Sequence, residues 1–486
     1  MPATLAYPIY AKHWRTLKAS GKFIHAYAPV YGQGAYYLSS VSDQVTLAPL
    51  GVVDWRGLSS QYAFFKDAMD RLGVEYEVFF AGKYKSASEP YRRNDMSPES
   101  KEQTRAFLDE MYRLMLEDIS QNRSLTTAEL RHLADTYAGI NTDAALSSKL
   151  VDAVKYREEA FNDLREAIGL EKDKDINFVN LNDYHTARVI KGKDEGGKIA
   201  LLVAEGVIVD GKGEAAQIGD KRYVQLIEDI RKDDKVKAVV LRVNSPGGSA
   251  MASDHIWQAL MDLKASGKPL VVSMGAVAAS GGYYISAPAD KIFAEPGTIT
   301  GSIGVVSAIP QLQDLLKDKI GIHFDTVKTG PFATGINVVM DMSEGEKALL
   351  RSRTDQMYAT FLERVSTGRN MAVANVDSIA QGRVWVGTTA KEIGLVDELG
   401  GLQDAIHQAA ALADLDAWHT TLYPKPEQPW ERLIKELTQA DDLMREEALR
   451  TQLGAAYPYY RYLQEIAGGQ GMQMRLPIVG NGVLGL

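Results

Sequence analysis

Short, nearly continuous apolar runs alternate with stretches of helical period through the second half of this 486-residue chain. KIALLVAEGVIV (Lys198–Val209), KAVVLRV (Lys237–Val243) and PLVVSM (Pro269–Met274) have the unbroken pattern of strands buried on both faces. Between them, SAMASDHIWQALMDLKASG (Ser249–Gly267) reads as a helix, and AASGGYYISAPAD (Ala278–Asp290) as a helix entered from a tight glycine turn. KIFAEP (Lys291–Pro296) and TGSIGVV (Thr300–Val306) follow as short strands. A long helical pattern after Ser343 opens with a capping box, Ser343 with Glu346, and another after Ser97 opens with Pro98 at its first position. Strands alternating with helices predict an α/β fold of βαβ units on a mostly parallel sheet.

The pattern occurs twice. LKASGK stands at Leu17–Lys22 and again at Leu263–Lys268, an offset of 246. Near that offset GQGAYYLS (Gly32–Ser39) falls on ASGGYYIS (Ala279–Ser286), Pro49 on Pro296 and Gly57 on Gly304. RLGVEYEVFFAG (Arg71–Gly82) falls on KIGIHFDTVKTG (Lys319–Gly330), and Leu150-Val151-Asp152 on Leu395-Val396-Asp397. A sustained register of this kind is a tandem duplication of a whole domain. The expected organisation is a first repeat over 1–154, a linker over 155–197, a second repeat over 198–404 and a C-terminal helical extension over 405–486. The counterpart of Gly247 falls at residue 1, so the first copy reads as truncated at its N-terminus, without its opening strands.

Composition narrows the chemistry. There is no cysteine, which excludes disulfides and thiol catalysis. The net charge of -9, with basic and acidic residues interleaved, argues against a nucleic-acid partner. No apolar run reaches the roughly 18 residues of a spanning helix, and the first residues lack a signal-peptide core. The apolar tail LPIVGNGVLGL (Leu476–Leu486) reads as a docked or frayed terminus. None of the eight histidines is paired at metal spacing; His255, next to Asp254, is the one with an acidic neighbour in a recurring block. No metal or cofactor is expected.

Two glycine-rich turns carry candidate chemistry. In MGAVAASGGYY, Ser280 lies just after a strand and at the mouth of a helix, a place that suits a nucleophile and equally a capping serine with packing glycines. In RVNSPGGS, Gly247 and Gly248 end a strand and lead into a helix, presenting consecutive backbone N–H groups as an oxyanion hole does. An ordinary βα turn has the same letters, and so does the thioester turn of crotonase-type acyl-CoA enzymes. A base is supplied by GKYKSASEP, since a buried lysine is able to serve. The duplication sharpens this choice: Lys85 faces Ala333 in the second copy, whereas Ser280 faces Gln33 in the first. Each copy retains one half of a Ser-Lys pair. Lys83 and Lys85 would share a face of an extended strand, so local geometry leaves both open.

GKYKSASEP, RVNSPGGS, MGAVAASGGYY and TGSIGVV, in this order, resemble the signal peptide peptidase A family in its long two-repeat bacterial form, protease IV. The resemblance runs from about Leu17 to Leu402. It implies a duplicated crotonase/ClpP-like fold and a Ser-Lys serine peptidase, with Ser280 as nucleophile, Lys85 as general base, Ser302 orienting the lysine, and Gly247 and Gly248 in the oxyanion turn. It further implies signal peptides as substrates and a bowl-like, tetramer-like homo-oligomer. The implied location is the outer, periplasmic face of the bacterial cytoplasmic membrane, with attachment through an N-terminal helix that this sequence lacks. Two alternatives stand beside it: a crotonase-like acyl-CoA hydrolase or hydratase, and a membrane scaffold with a degenerate site, in which Ser280 and Lys85 would lie apart.

Overall fold

The computed structural model describes residues 7–172, 174–181, 183–184, 196–425, 449, 451–452, 457 and 473–475. The described residues divide into a first unit, 7–60 with those of 108–184, and a second, 61–107 with those from 196 onward.

The repeat seen in the letters is a repeat of contacts. In the first unit, strand β1 (His25–Tyr31) pairs in parallel with β2 (Gln44–Val53), and β2 with β4 (Ala153–Val154). In the second unit, β10 (Leu270–Ala279), β11 (Lys291–Ala294) and β15 (Glu398–Leu399) pair in the same way. The two LKASGK segments close a helix identically. Gly21 and Gly267 take positive φ (82° and 87°), the left-handed turn that glycine enters without a Cβ penalty. Lys18 pairs with Asp43 (3.0 Å), whose other carboxylate oxygen accepts the Ile24 amide (2.8 Å). Lys264 pairs with Asp290 (2.9 Å), which accepts the Leu270 amide (2.8 Å). Tyr36 donates to the Leu150 carbonyl and Tyr283 to that of Leu395, both at 2.9 Å. The duplicated letters therefore survive where they tie each helix to the strand that follows it. The first unit closes over a core that includes Trp55, Tyr36, Leu47, Ile119 and Leu130.

The second unit holds two sheets. The larger runs β14 (Val384–Val386), β12 (Ile299–Gly301), β10, β8 (Val236–Ser245), β5 (Gly197–Glu205) and β16 (Trp418–Tyr423), with β11 and β15 branching from β10. Its central strands are parallel. The unbroken apolar runs are explained by burial on both sides. Val239, Leu241 and Val243 of β8 join one core with helix Ala250–Ala265, whereas Ala238 and Val240 join another with helix Leu402–Leu412. The second sheet runs β3 (Glu75–Ala81), β13 (Val305–Gln311), β17 (Gln473–Arg475), β9 (Gly247–Ser249), β6 (Val207–Val209) and β7 (Gln217–Gly219).

The structure departs from the expected pattern at several places. The twin segments at 71–82 and 319–330 do not fold alike. The first contains β3, paired antiparallel with β13 from Val305↔Ala81 to Gln311↔Glu75, whereas residues 321–328 form neither helix nor strand. A strand needs a partner edge, and β13, which lies in the second repeat, supplies it to the first. Units and repeats consequently do not coincide: residues 61–107 of the first repeat belong to the second unit. The stretch after Asp404, read as helical, also contributes the edge strand β16. Within 155–197 lies a helix, Arg157–Ala167. The extreme N-terminus and the LPIVGNGVLGL tail lie outside the described residues. No helix among the described residues is long and apolar enough to cross a membrane.

Candidate active site

Ser280 follows the last residue of β10 and precedes helix Gly281–Ser286. Its backbone lies at φ 57° and ψ −117°, a conformation that costs a non-glycine residue about 1–3 kcal/mol and concentrates at functional sites. Its N–H donates to the Gly301 carbonyl (2.8 Å), which fixes the turn. The following glycines are sterically required. A Cβ on Gly281 would come within 2.6 Å of Ser253 Oγ, and one on Gly282 within 2.7 Å of the Ser245 carbonyl. This favours a turn built to hold a side chain in an unusual place over a simple helix cap; indeed Ser280 makes no side-chain capping bond.

Lys85 comes from the other repeat but the same unit. The GKYK segment is not the extended strand expected of it. β3 ends at Ala81, Gly82 turns with φ 102°, and the Lys85 N–H closes back on the Gly82 carbonyl (3.0 Å). The turn separates the two lysines. Lys83 is exposed, with Nζ over the Tyr84 ring, while Lys85 is 1% exposed. Lys85 Nζ lies within hydrogen-bond distance of Ser280 Oγ (2.8 Å), the Ser302 carbonyl (2.9 Å) and Ser302 Oγ (3.1 Å). None of these partners is a carboxylate. Burial alone pushes the Lys85 amine well below the usual lysine range, because desolvation penalises the ammonium. Ser302, fully buried, is held at φ 51° after β12 by a bond from its N–H to the Arg383 carbonyl (2.7 Å).

The glycine turn lies alongside. A Cβ built on Gly281 would sit 3.2 Å from both Gly247 Cα and Gly248 N. The two glycines are not equivalent. Gly247, at φ 95°, gives its N–H to Ser245 Oγ (3.1 Å), whereas Gly248 stands opposite Ile208 of β6 and Met474 of β17. All five residues singled out in the sequence thus meet in one place. His255 does not join them; its Nδ1 lies 2.7 Å from Asp220 Oδ2. Among the described residues no cluster of His, Asp and Glu could hold a metal.

In the first unit the corresponding place is filled. Gln33, the twin of Ser280, is 1% exposed; its Nε2 donates to the Gly57 carbonyl and its Oε1 accepts the Arg56 and Gly57 amides. Trp55, which stands at the same offset from Ser302 as Gln33 from Ser280, is a core side chain. Ala333, the twin of Lys85, is exposed.

Two supporting residues were not foreseen. Gln103 (2% exposed) donates to the Tyr84 carbonyl (2.9 Å) and Ser86 Oγ (3.1 Å) and accepts the Val384 amide (3.3 Å), tying the lysine segment to β14. Gly382, at φ 73°, lies where a Cβ would come 2.7 Å from Lys85 Cβ and N. Neither carries a local sequence signal, since a single glutamine on a helix and a glycine in a turn have many ordinary explanations.

The sequence model of peptidase family S49 matches residues 16–171 and 262–416, two copies whose starts are 246 residues apart. The chain is 37% identical over 451 residues to Protease 4 of Salmonella typhi, covering 91% of this chain and 72% of that protein. It is 38% identical over 406 residues to Protease 4 of Haemophilus influenzae, covering 82% and 66%, and 34% identical over 419 residues to the chloroplastic serine protease SPPA of Arabidopsis thaliana, covering 83% and 60%. The chain thus spans about two thirds of the length of these relatives. With the domain present twice and these relatives matched over most of its length, the chain belongs to peptidase family S49 as a serine peptidase.

Proposed function

We propose that this chain is a Ser-Lys endopeptidase that degrades extended apolar peptides, spent signal peptides among them, at the outer face of the cytoplasmic membrane as a homo-oligomer. The observation that carries the reading is the 2.8 Å contact between Lys85 Nζ and Ser280 Oγ, made by a lysine whose amine burial pushes well below the usual lysine range. The substrate class, the assembly and the location rest on the motif resemblance alone.

The steps follow from the geometry. The Ser280 hydroxyl donates to the lone pair of neutral Lys85. As that proton transfers, Oγ bonds to the substrate carbonyl carbon, and an N–H of the Gly247-Gly248 turn donates a hydrogen bond to the developing oxyanion. The Lys85 ammonium then protonates the departing amine as the C–N bond breaks, leaving an acyl ester on Ser280. Lys85, neutral again, takes a proton from the water that attacks the ester, and returns it to Ser280 Oγ as the acyl C–O bond breaks. Ser302 holds the amine between its carbonyl and hydroxyl, so that the lone pair has one direction left, toward Ser280. A degenerate scaffold has no use for this arrangement, and an acyl-CoA enzyme has no need of a reciprocal split between repeats.

A fluorophosphonate tests the reading directly. Expected are one adduct per chain, located on Ser280 by peptide mapping, and hydrolysis of a Leu-rich fluorogenic peptide that falls in step with labelling. Labelling elsewhere, or full turnover by a labelled enzyme, overturns it. Gly382→Ala provides a second check. The added methyl displaces the Lys85 backbone, and a misplacement approaching 1 Å costs roughly 100-fold in rate. We expect kcat/KM to fall by about that factor with an unchanged circular-dichroism spectrum.

A further inference from the structure

The end of the β3–β13 pair away from Ser280 opens into a polar cavity of about 300 Å³. The pairing runs from Val305↔Ala81, three residues beyond Ser302, to Gln311↔Glu75, where both residues line the cavity. Six residues of strand at about 3.4 Å each put the cavity roughly 20 Å from the Val305 end. All of its wall belongs to the second unit.

The wall carries four carboxylates, Glu75, Glu77, Asp314 and Asp341, and one ammonium, Lys347. Lys347 pairs with Glu77 and, outside the wall, with Glu344 (3.6 Å). Asp341 accepts the side-chain amide of Gln313 (2.9 Å). Glu75 and Asp314 have neither an ion pair nor a side-chain hydrogen bond among the described residues. Surface carboxylates alone are ordinary, but Gln311 is not. It lines the same cavity at 5% exposure, and its Nε2 reaches the carbonyls of Pro310 (3.3 Å) and Asn337 (3.5 Å). Its Oε1 is buried with no hydrogen-bond donor. A buried acceptor is nearly always satisfied in a native fold. Negative charge and an unused acceptor in one cavity call for a positively charged donor. Among the described residues no three acidic groups converge to hold a metal ion. A guanidinium or ammonium suits the wall better, since it carries several donors and no acceptor, spread in arginine over a planar fork.

We propose that this cavity binds an arginine or lysine side chain of the substrate peptide, about six or more residues to the N-terminal side of the bond that is cut. The inference rests on the Ser-Lys peptidase reading and narrows its substrate class. An extended chain advances about 3.3–3.6 Å per residue, so the roughly 20 Å from the cavity to the Val305 end takes about six residues to cross. A secretory signal peptide has this layout, with basic residues followed by an apolar stretch of about 7–15 residues. When its last basic residue is held in the cavity, the bond presented to Ser280 lies inside the apolar stretch.

Two Leu- and Ala-rich peptides of about 16 residues, long enough for such a stretch, provide the test. They are N-acetylated, carry a C-terminal fluorophore, and differ only in Arg or Gln at the first position. In anisotropy titrations of full-length Ser280→Ala, which binds without turnover, the Arg peptide is expected to bind about tenfold more tightly, the size of one hydrogen bond to a charged group. Adding Glu75→Gln and Asp314→Asn keeps the shape of the wall and removes two of its charges. It is expected to erase the preference while the Gln peptide binds as before. In wild type the preference appears in KM at unchanged kcat, as uniform binding requires. Mass spectrometry of the products should find no Arg-bearing fragment shorter than about six residues, whereas the Gln peptide is cut nearer its start as well. Equal affinity of the two peptides, an equal loss for both in the charge variant, or displacement of the Arg peptide by equimolar calcium chloride overturns the proposal. Fluorophosphonate labelling of Ser280 in the same wild-type protein then leaves the peptidase reading intact. An Arg preference in a wild type that fails to label overturns the peptidase reading and leaves the cavity.

Discussion

Lys85→Met is expected to abolish peptide hydrolysis, lowering kcat/KM by roughly 10⁴-fold, the upper range for loss of a positioned general base. Lys83→Ala retains most of the activity, because Lys83 is exposed and its amine rests over the Tyr84 ring rather than in the site. The folds of both variants are expected to persist. Methionine fills much of the lysine's volume, and wild type already bears the cost of a buried amine, about 1.4 kcal/mol for each tenfold fall in its proton affinity. That cost has a defined dependence on pH. The Lys85 amine is depressed in the folded protein, so between its folded pKa and the unfolded value near 10.4 the unfolded chain binds more protons. Wild-type stability therefore gains from rising pH across this window, and Lys85→Met lacks the gain. The Tm of the variant minus that of wild type should decrease from pH 7 to pH 10. Activity of Lys85→Met above a few per cent, or loss of activity in Lys83→Ala, places the base elsewhere.

The pH profile of wild type supplies the second large effect. On the proposed mechanism only neutral Lys85 accepts the Ser280 proton, so kcat/KM is expected to fall tenfold per pH unit below the depressed pKa and to level off above it. The limb lies below the ordinary lysine range because burial, and no neighbouring charge, sets the amine. Ser302→Ala lowers the plateau by about tenfold, since it removes the 3.1 Å contact that aims the amine. The limb persists, because the variant leaves Lys85 buried. Measurements on wild type, Ser302→Ala and Lys85→Met with one fluorogenic peptide separate positioning from titration. A limb that survives in the residual activity of Lys85→Met identifies a different base.

Much of this site was legible because its parts sit in local motifs. Ser280 announces itself through a strand–turn–helix with two glycines that the structure proves sterically necessary. Lys85 was reached through a comparison internal to the chain, since its twin is Ala333 and the twin of Ser280 is Gln33. The choice between Lys83 and Lys85 was not legible without the family motif. It is made by the Gly82 turn and by the Tyr84 N–H, which donates to Gln381 (2.8 Å) in the other repeat. The same limit hid the pairing of β3 with β13. Two matching sequences predict two matching folds, and nothing in either copy reveals that one supplies a strand and the other an edge. β17 was illegible for a further reason: Gln473–Arg475 has no strand pattern, and its conformation is imposed by the two edges around it.

The partition of Ser280 and Lys85 between repeats has a consequence for the newly made chain. The two residues are 195 positions apart, and a ribosome adding about 5–20 residues per second needs about 10–40 s to pass from one to the other. Throughout that interval the emerging polypeptide carries an amine with no hydroxyl to deprotonate. On the proposed Ser-Lys reading, hydrolytic competence arrives only once β10 and β12 have been made and have closed over the lysine segment, so until then the nascent protein is unable to cut its neighbours or itself.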